Sequence, residues 1–221
     1  MKPGSKILLA SSGDPRVFII LILVFLAVGI HLFLWSRKRN KMIREFYQKK
    51  GMKLCEGEES VLEKKLNEAF GLEELNGQYR LFSSVRNIAT DGTITFFSFT
   101  EYCRNFAGIG QKGTSHPFIG ATFSAAVDKN ICFYRNHDGE CKTDYISGEN
   151  SEEDFALSTV RKLLQAEPPD PSNWGIRVSF APGVILLYLR PGVVGCEKEE
   201  DLDYMYKIGK KIRAEIETCS A

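Results

Sequence analysis

The chain has 221 residues, 43% hydrophobic and 26% charged, a globular composition that excludes a wholly disordered polymer. Its net charge of +1 hides an asymmetry: residues 1–50 carry ten Lys/Arg against two acids, net +8, and residues 51–221 carry net −7. An acidic domain repels phosphate backbones at long range, which argues against nucleic acid as a ligand and assigns the positive charge to the N-terminal end.

Residues 17–35 read VFIILILVFLAVGIHLFLW, with His31 the single ionisable side chain. At about 1.5 Å of helical rise per residue the run spans roughly 28 Å, close to the thickness of a hydrocarbon core. Trp35 and the Arg37-Lys38-Arg39 triplet follow, the aromatic and basic residues that favour a headgroup region. These features predict a transmembrane helix over 17–35. A cleaved leader fits poorly, because the positive charge follows the apolar run instead of preceding it. Seven basic residues lie between the span and Lys50 and three precede it, so the positive-inside rule predicts a short extracytoplasmic tail at 1–16 and a cytoplasmic 36–221. The bilayer is the first expected partner.

Residues 36–50 continue as a basic juxtamembrane helix. Met42 with Phe46, and Ile43 with Tyr47, are apolar pairs four apart, a face for anionic headgroups or for a neck leading into the domain. Residues 51–221 are expected to be one soluble domain. Ser60-Val61-Leu62-Glu63 opens an amphipathic helix ending near Phe70. The hydrophobic period then falls to two. Residues 79–89 and 93–103 read as strands joined by a two-residue turn at Asp91-Gly92, a register that sets Val85 on one face with Phe96, and Phe82 and Ile88 on the other with Phe97 and Phe99. A second β unit, 118–127 and 131–135, turns at 128–130, and a further strand covers 141–146. A helix is predicted to 165, halted by the prolines at 168, 169 and 171, with Trp174 as a core plug beyond them. Strands at 176–180 and 184–189 follow, the latter apolar throughout as a central strand would be. The last helix, about 197–217, is acidic in its first turn and basic later, matching the helix dipole. The fold class is α+β: one N-terminal transmembrane helix, then a mainly antiparallel sheet packed by about three helices.

Candidate chemistry is sparse. Residues 108–113 fit G-x-G-x-x-G, but a strand follows them where a dinucleotide fingerprint requires a helix, so no nucleotide cofactor is expected. Residues 104–117 read as a fourteen-residue loop, a length typical of functional loops, and Arg104, Lys112, Ser115 and His116 are its candidate binding residues. Cys132, His137 and Cys141 tempt toward zinc; with a tight turn at Asp138-Gly139 the two cysteines share a face about 13 Å apart, so no metal is expected. The six widely spaced cysteines are read as mostly free thiols. The expected function is a membrane-tethered module binding another membrane or cytoplasmic protein. The alternative is a small membrane-bound hydrolase or transferase using the 104–117 loop and His116.

Overall fold

The structure is a computed structural model describing residues 15–70, 78–105, 114–125, 130–135, 140–147, 155–167, 175–190 and 198–220. The 108–113 glycine motif, Lys112, His137, Trp174 and the tail before Pro15 lie outside these residues. The chain divides into two units, Met1–Lys41 and Met42–Ala221. The first contains most of α1 (Pro15–Lys49), whose apolar stretch, beginning at Val17, is long enough to cross a membrane and is not buried by the fold. The last turns of α1 belong to the second unit, where Ile43, Phe46 and Tyr47 are core residues. Gly51, at φ +72°, ends the helix in the left-handed conformation that glycine adopts without steric cost.

The second unit is an antiparallel sheet with helices on both faces. Its elements are β1 (Lys53–Leu54), α2 (Glu59–Phe70), β2 (Gln78–Thr90), β3 (Thr95–Asn105), β4 (Thr114–Ser124), β5 (Asn130–Arg135), β6 (Cys141–Ser147), α3 (Phe155–Ala166), β7 (Gly175–Ala181), β8 (Val184–Arg190) and α4 (Glu199–Ser220). Among the described residues the strand order is β1-β2-β3-β4-β8-β7-β5-β6. The α+β reading stands, with α2, α3 and α4 following the apolar helix. The second β unit is a correction: β4 and β5 do not pair, because the β7–β8 hairpin inserts between them. Strand β8 is apolar at every position from 184 to 189 and takes the centre, where a strand has a neighbour on each side and a layer on each face.

Alternation along the strands feeds two cores. Phe96, Ile119, Ala121, Ile185, Leu187, Val178 and Phe180 join α3, α4 and the end of α1 on one face; Phe97, Phe99, Phe118, Leu186 and Tyr188 join Leu66 and Phe70 of α2 on the other. Gly120 belongs to the second face, where an added Cβ would fall 2.8 Å from the Phe99 ring and 3.2 Å from that of Phe97. Glycine is what lets two phenyl rings lie over β4.

Strand β2 departs from simple alternation. Ser84 and Asn87 both have φ of +53°, and the β2–β3 register shifts between Ser83 and Arg86 and again between Arg86 and Ala89. Each shift inserts one extra residue, so Phe82, Val85 and Ile88, three apart, all face α2. The expectation that Val85 would share a face with Phe96 fails for this reason. The turn is also wider than expected: Thr90 pairs with Thr95, leaving a four-residue loop. Asp91 builds that loop by accepting bonds from Thr93 N (2.8 Å), Thr93 Oγ1 (2.6 Å) and Ile94 N (2.8 Å), which turns Ile94 into the core.

The outer edge of β2 is occupied at intervals. Strand β1 pairs with Ala89 and Thr90, and Cys55 N donates to Ile88 O at 2.9 Å. Asn67 of α2 takes both groups of Phe82, its Nδ2 donating to Phe82 O at 2.8 Å and its Oδ1 accepting from Phe82 N at 2.9 Å. A carboxamide thereby stands in for a neighbouring strand, and together with the two bulges it blunts the edge against pairing with another chain. Asn67→Ala is expected to lower stability by about 2 kcal/mol, the cost of leaving buried peptide groups unmet, read as a lower midpoint in thermal unfolding of the full chain. Asp91 carries a second expectation. Partial burial favours its neutral form, but the bond from Lys210 and those from Thr93 and Ile94 outweigh this and hold its pKa well below the ordinary carboxylate range. A depressed native pKa contributes stability above the unfolded pKa of about 3.9 that is lost as pH falls below it, so Asp91→Asn should flatten the acid limb of a stability–pH curve between about pH 4 and pH 2.

Candidate functional site

The apolar side chains of residues 17–35 stand open, from 41% exposed at Trp35 to 75% at Phe25. Beyond them Arg37 places its guanidinium 5.7 Å from the Phe33 ring centroid; Lys38 is exposed and Arg39 partly covered. All four interface candidates therefore lie on the continuous helix α1.

The 104–117 region is mostly strand. Strand β3 extends through Arg104 to Asn105 and β4 begins at Thr114, so the expected fourteen-residue loop shrinks to 106–113, which lies outside the described residues. Arg104 pairs in register with Tyr79, Ser115 with Tyr102 and His116 with Glu101. Neighbouring strand positions alternate faces, so 115 and 116 belong to opposite sides of the sheet; position 116 shares the α2 side with Glu101. Arg104, Ser115 and His116 thus stand on the two strands that flank 106–113, and Lys112 lies outside the described residues.

What sequence reading missed is the buried polar band on that same face. Glu101 is 4% exposed and accepts a hydrogen bond from Tyr188 Oη at 3.1 Å, beside Phe99 and Phe118, whose rings lie 5.4 Å from that of Tyr188. Two strands further on, Arg177 Nε donates to Cys132 Sγ at 2.9 Å and Ser179 Oγ donates to the same sulfur at 3.3 Å. In sequence these positions were visible only as polar interruptions of apolar strands, Arg177 and Ser179 between Ile176, Val178 and Phe180. Register makes them neighbours: Arg177 opposes Tyr188 and Ser179 opposes Cys132. One buried face of the sheet thus holds two polar groups, a carboxylate bonded by a phenol and a thiol bonded by a guanidinium and a hydroxyl.

Register separates the two cysteines weighed as zinc ligands, while His137 lies outside the described residues. Cys141 pairs with Arg135, not with Asn136, and a register shift follows Cys132, so Cys132 points into the polar band while Cys141 packs against the opposite core. The expectation that the two share a face is overturned by that bulge, and among the described residues no three potential ligands converge. Cys55, Cys132 and Cys141 are thiols outside any disulfide. Burial raises the pKa of Cys141 despite nearby Arg135 and Arg161; burial and then Glu58 raise that of Cys55 against Lys53. Both stay protonated at neutral pH and are poor nucleophiles.

A charged groove of about 850 Å³ lies along the last turn of α1 and the first turns of α4. Lys50 bridges to Asp203 at 2.6 Å, Lys207 bonds the same carboxylate at 2.6 Å, and Lys49 reaches Glu199 at 3.1 Å. The bonds from Lys207 and Lys50 outweigh partial burial and lower the Asp203 pKa. Lys50 also sits over the rings of Phe46 and Tyr206, at 5.3 and 5.2 Å.

The buried carboxylate supplies a direct check. Tyr188→Phe removes one donor to Glu101 without changing the ring packing, and should destabilise the full chain by about 1–3 kcal/mol in chemical unfolding, whereas Phe118→Leu should act through packing alone. No family model, no curated protein and no solved structure matches this chain.

Proposed function

We propose that the protein is a single-pass membrane protein whose globular domain is cytoplasmic and binds another protein at the bilayer surface. The observation that carries this reading is a nineteen-residue apolar stretch that the fold leaves wholly unburied, on the same helix that supplies Ile43, Phe46 and Tyr47 to the domain core. In water such a surface would drive aggregation; in hydrocarbon it is at equilibrium. The excess of Lys and Arg after the span supports the cytoplasmic side. The groove of alternating Lys and acidic residues suits a polar protein segment, because a partner can exchange ion pairs there without burying a lone charge.

One observation favours a second reading, a membrane-tethered hydrolase or transferase. Position 116 opposes buried Glu101, and a histidine oriented by a carboxylate is the arrangement that general-base catalysis uses.

Two measurements test these readings. A C-terminal tag in sealed, right-side-out vesicles is expected to resist added protease until detergent is present; a tag digested without detergent would reverse the orientation. Purification from native membranes in mild detergent should recover a stoichiometric protein partner, and charge reversal at Lys50 and Lys207 should release it. Recovery of the protein alone, together with an activity abolished by His116→Ala in a folded chain, would replace the binding module with the enzyme.

A further inference from the structure

Helix α2 covers only part of its face of the sheet. Between it and the ends of β2, β3, β4 and β8 lies a cleft of about 640 Å³, within the size range that takes small ligands. Leu62, Leu66 and Phe70 from the helix and Val184 from β8 give it an apolar floor. Its rim is rich in hydroxyls, and most are engaged within the protein. Thr90 donates to Ile94 O at 3.0 Å, Thr93 to Asp91 at 2.6 Å and Thr122 to Ile185 O at 2.9 Å. Thr95, which opposes Thr122 in the ladder, and Ser124, which opposes Val184, make no side-chain hydrogen bond among the described residues.

The rim carries one cation, Lys65, and one anion, Glu68. Lys65 lines the cleft and makes no ion pair among the described residues; its neighbours four positions away on α2 are Val61 and Ala69, so the helix offers it no carboxylate there. Glu68, the acid on this rim, is paired with Lys64 at 3.7 Å. Among the described residues, then, one ammonium outside any ion pair and two hydroxyls outside any side-chain hydrogen bond border an apolar floor.

We propose that this cleft binds a small amphipathic anion: an apolar chain or ring lying on Leu62, Leu66, Phe70 and Val184, ending in one carboxylate or phosphate monoester held by Lys65 Nζ with the Thr95 and Ser124 hydroxyls. The apolar body fits the floor, and the anionic head matches three donors that no described residue engages. The site does not depend on the direction in which the anchor crosses a membrane, and its failure would leave the tethered-module reading intact.

The test uses the full chain in lipid nanodiscs with labelled Leu and Val methyl groups, titrated with hexanoate, hexyl phosphate and hexanol, with empty nanodiscs correcting for partitioning. Saturable shifts at Leu62, Leu66 and Val184 are expected with at least one of the anions, and the tighter of the two assigns the head as carboxylate or phosphate. Hexanol should bind at least about tenfold more weakly, the size of one charge-assisted bond. Lys65→Met, which keeps the apolar stem, should weaken the anions about tenfold, and Ala69→Phe should fill the cleft and abolish the shifts, with methyl signals elsewhere reporting an intact fold. Absence of saturable shifts with both anions, hexanol binding as tightly as the anions, or unchanged affinity in Lys65→Met would each overturn the proposal.

Discussion

Strand β8 has to be dry on both sides. Ile185, Leu187 and Leu189 face one core and Leu186 and Tyr188 the other, and each of the five is fully buried. At about 25 cal/mol per Å² of apolar surface, exposing either row would remove a large part of the net stability of a domain this size. Both faces of the sheet therefore need a helical layer, supplied by α3, α4 and the end of α1 on one side and by α2 on the other. The same dryness decides how polar residues appear on the α2 face. Glu101, Arg177, Ser179 and Cys132 are tolerated there because they bond to Tyr188 and to one another, since an unmet polar group in that layer costs several kcal/mol.

Helix α1 carries two patterns of apolar residues along its length. Its first part carries apolar residues around its whole circumference, as a lipid-facing helix does, and its last turns carry them at Ile43, Phe46 and Tyr47 only, as an amphipathic helix on a sheet does. The choice between headgroup contact and a neck, which the i,i+4 pairs left open, resolves in favour of packing: Tyr47 lies against Phe96, its ring centroid 6.0 Å away, and Arg44 pairs with Glu56 on the chain that leaves the helix.

Much of this architecture was legible because period and punctuation are local properties. The apolar run at 17–35, the apolar stripe of α2 and the acidic first turn of α4 each depend on neighbours a few residues away, and each falls where an element is observed, although the expected cap Ser60 lies inside α2, which begins at Glu59. Strand order was not legible, since nothing near Ser124 or Asn130 reports that a hairpin from fifty residues downstream will come between β4 and β5. The bulges at Ser84 and Asn87 were equally hidden: a three-residue spacing of Phe82, Val85 and Ile88 reads as broken alternation until two left-handed residues restore it. The polar band failed to appear for a related reason. Its members come from β3, β5, β7 and β8, and only the register brings Glu101 to Tyr188 and Arg177 to Cys132.

The packing of α1 against residues from the far end of the chain has a consequence for synthesis. Lys50 is held by Asp203 and lies over Tyr206, and the core that receives Ile43 and Tyr47 includes Leu202, Met205 and Ile208. These partners lie some 150 residues downstream, so a nascent chain already inserted in a membrane would carry its first core residues unsatisfied until α4 leaves the ribosome, about ten seconds or more at ordinary elongation rates. The finished domain then has the end of α1 and α4 closed over one face, and a ribosome that stalls before Glu199 leaves that face open.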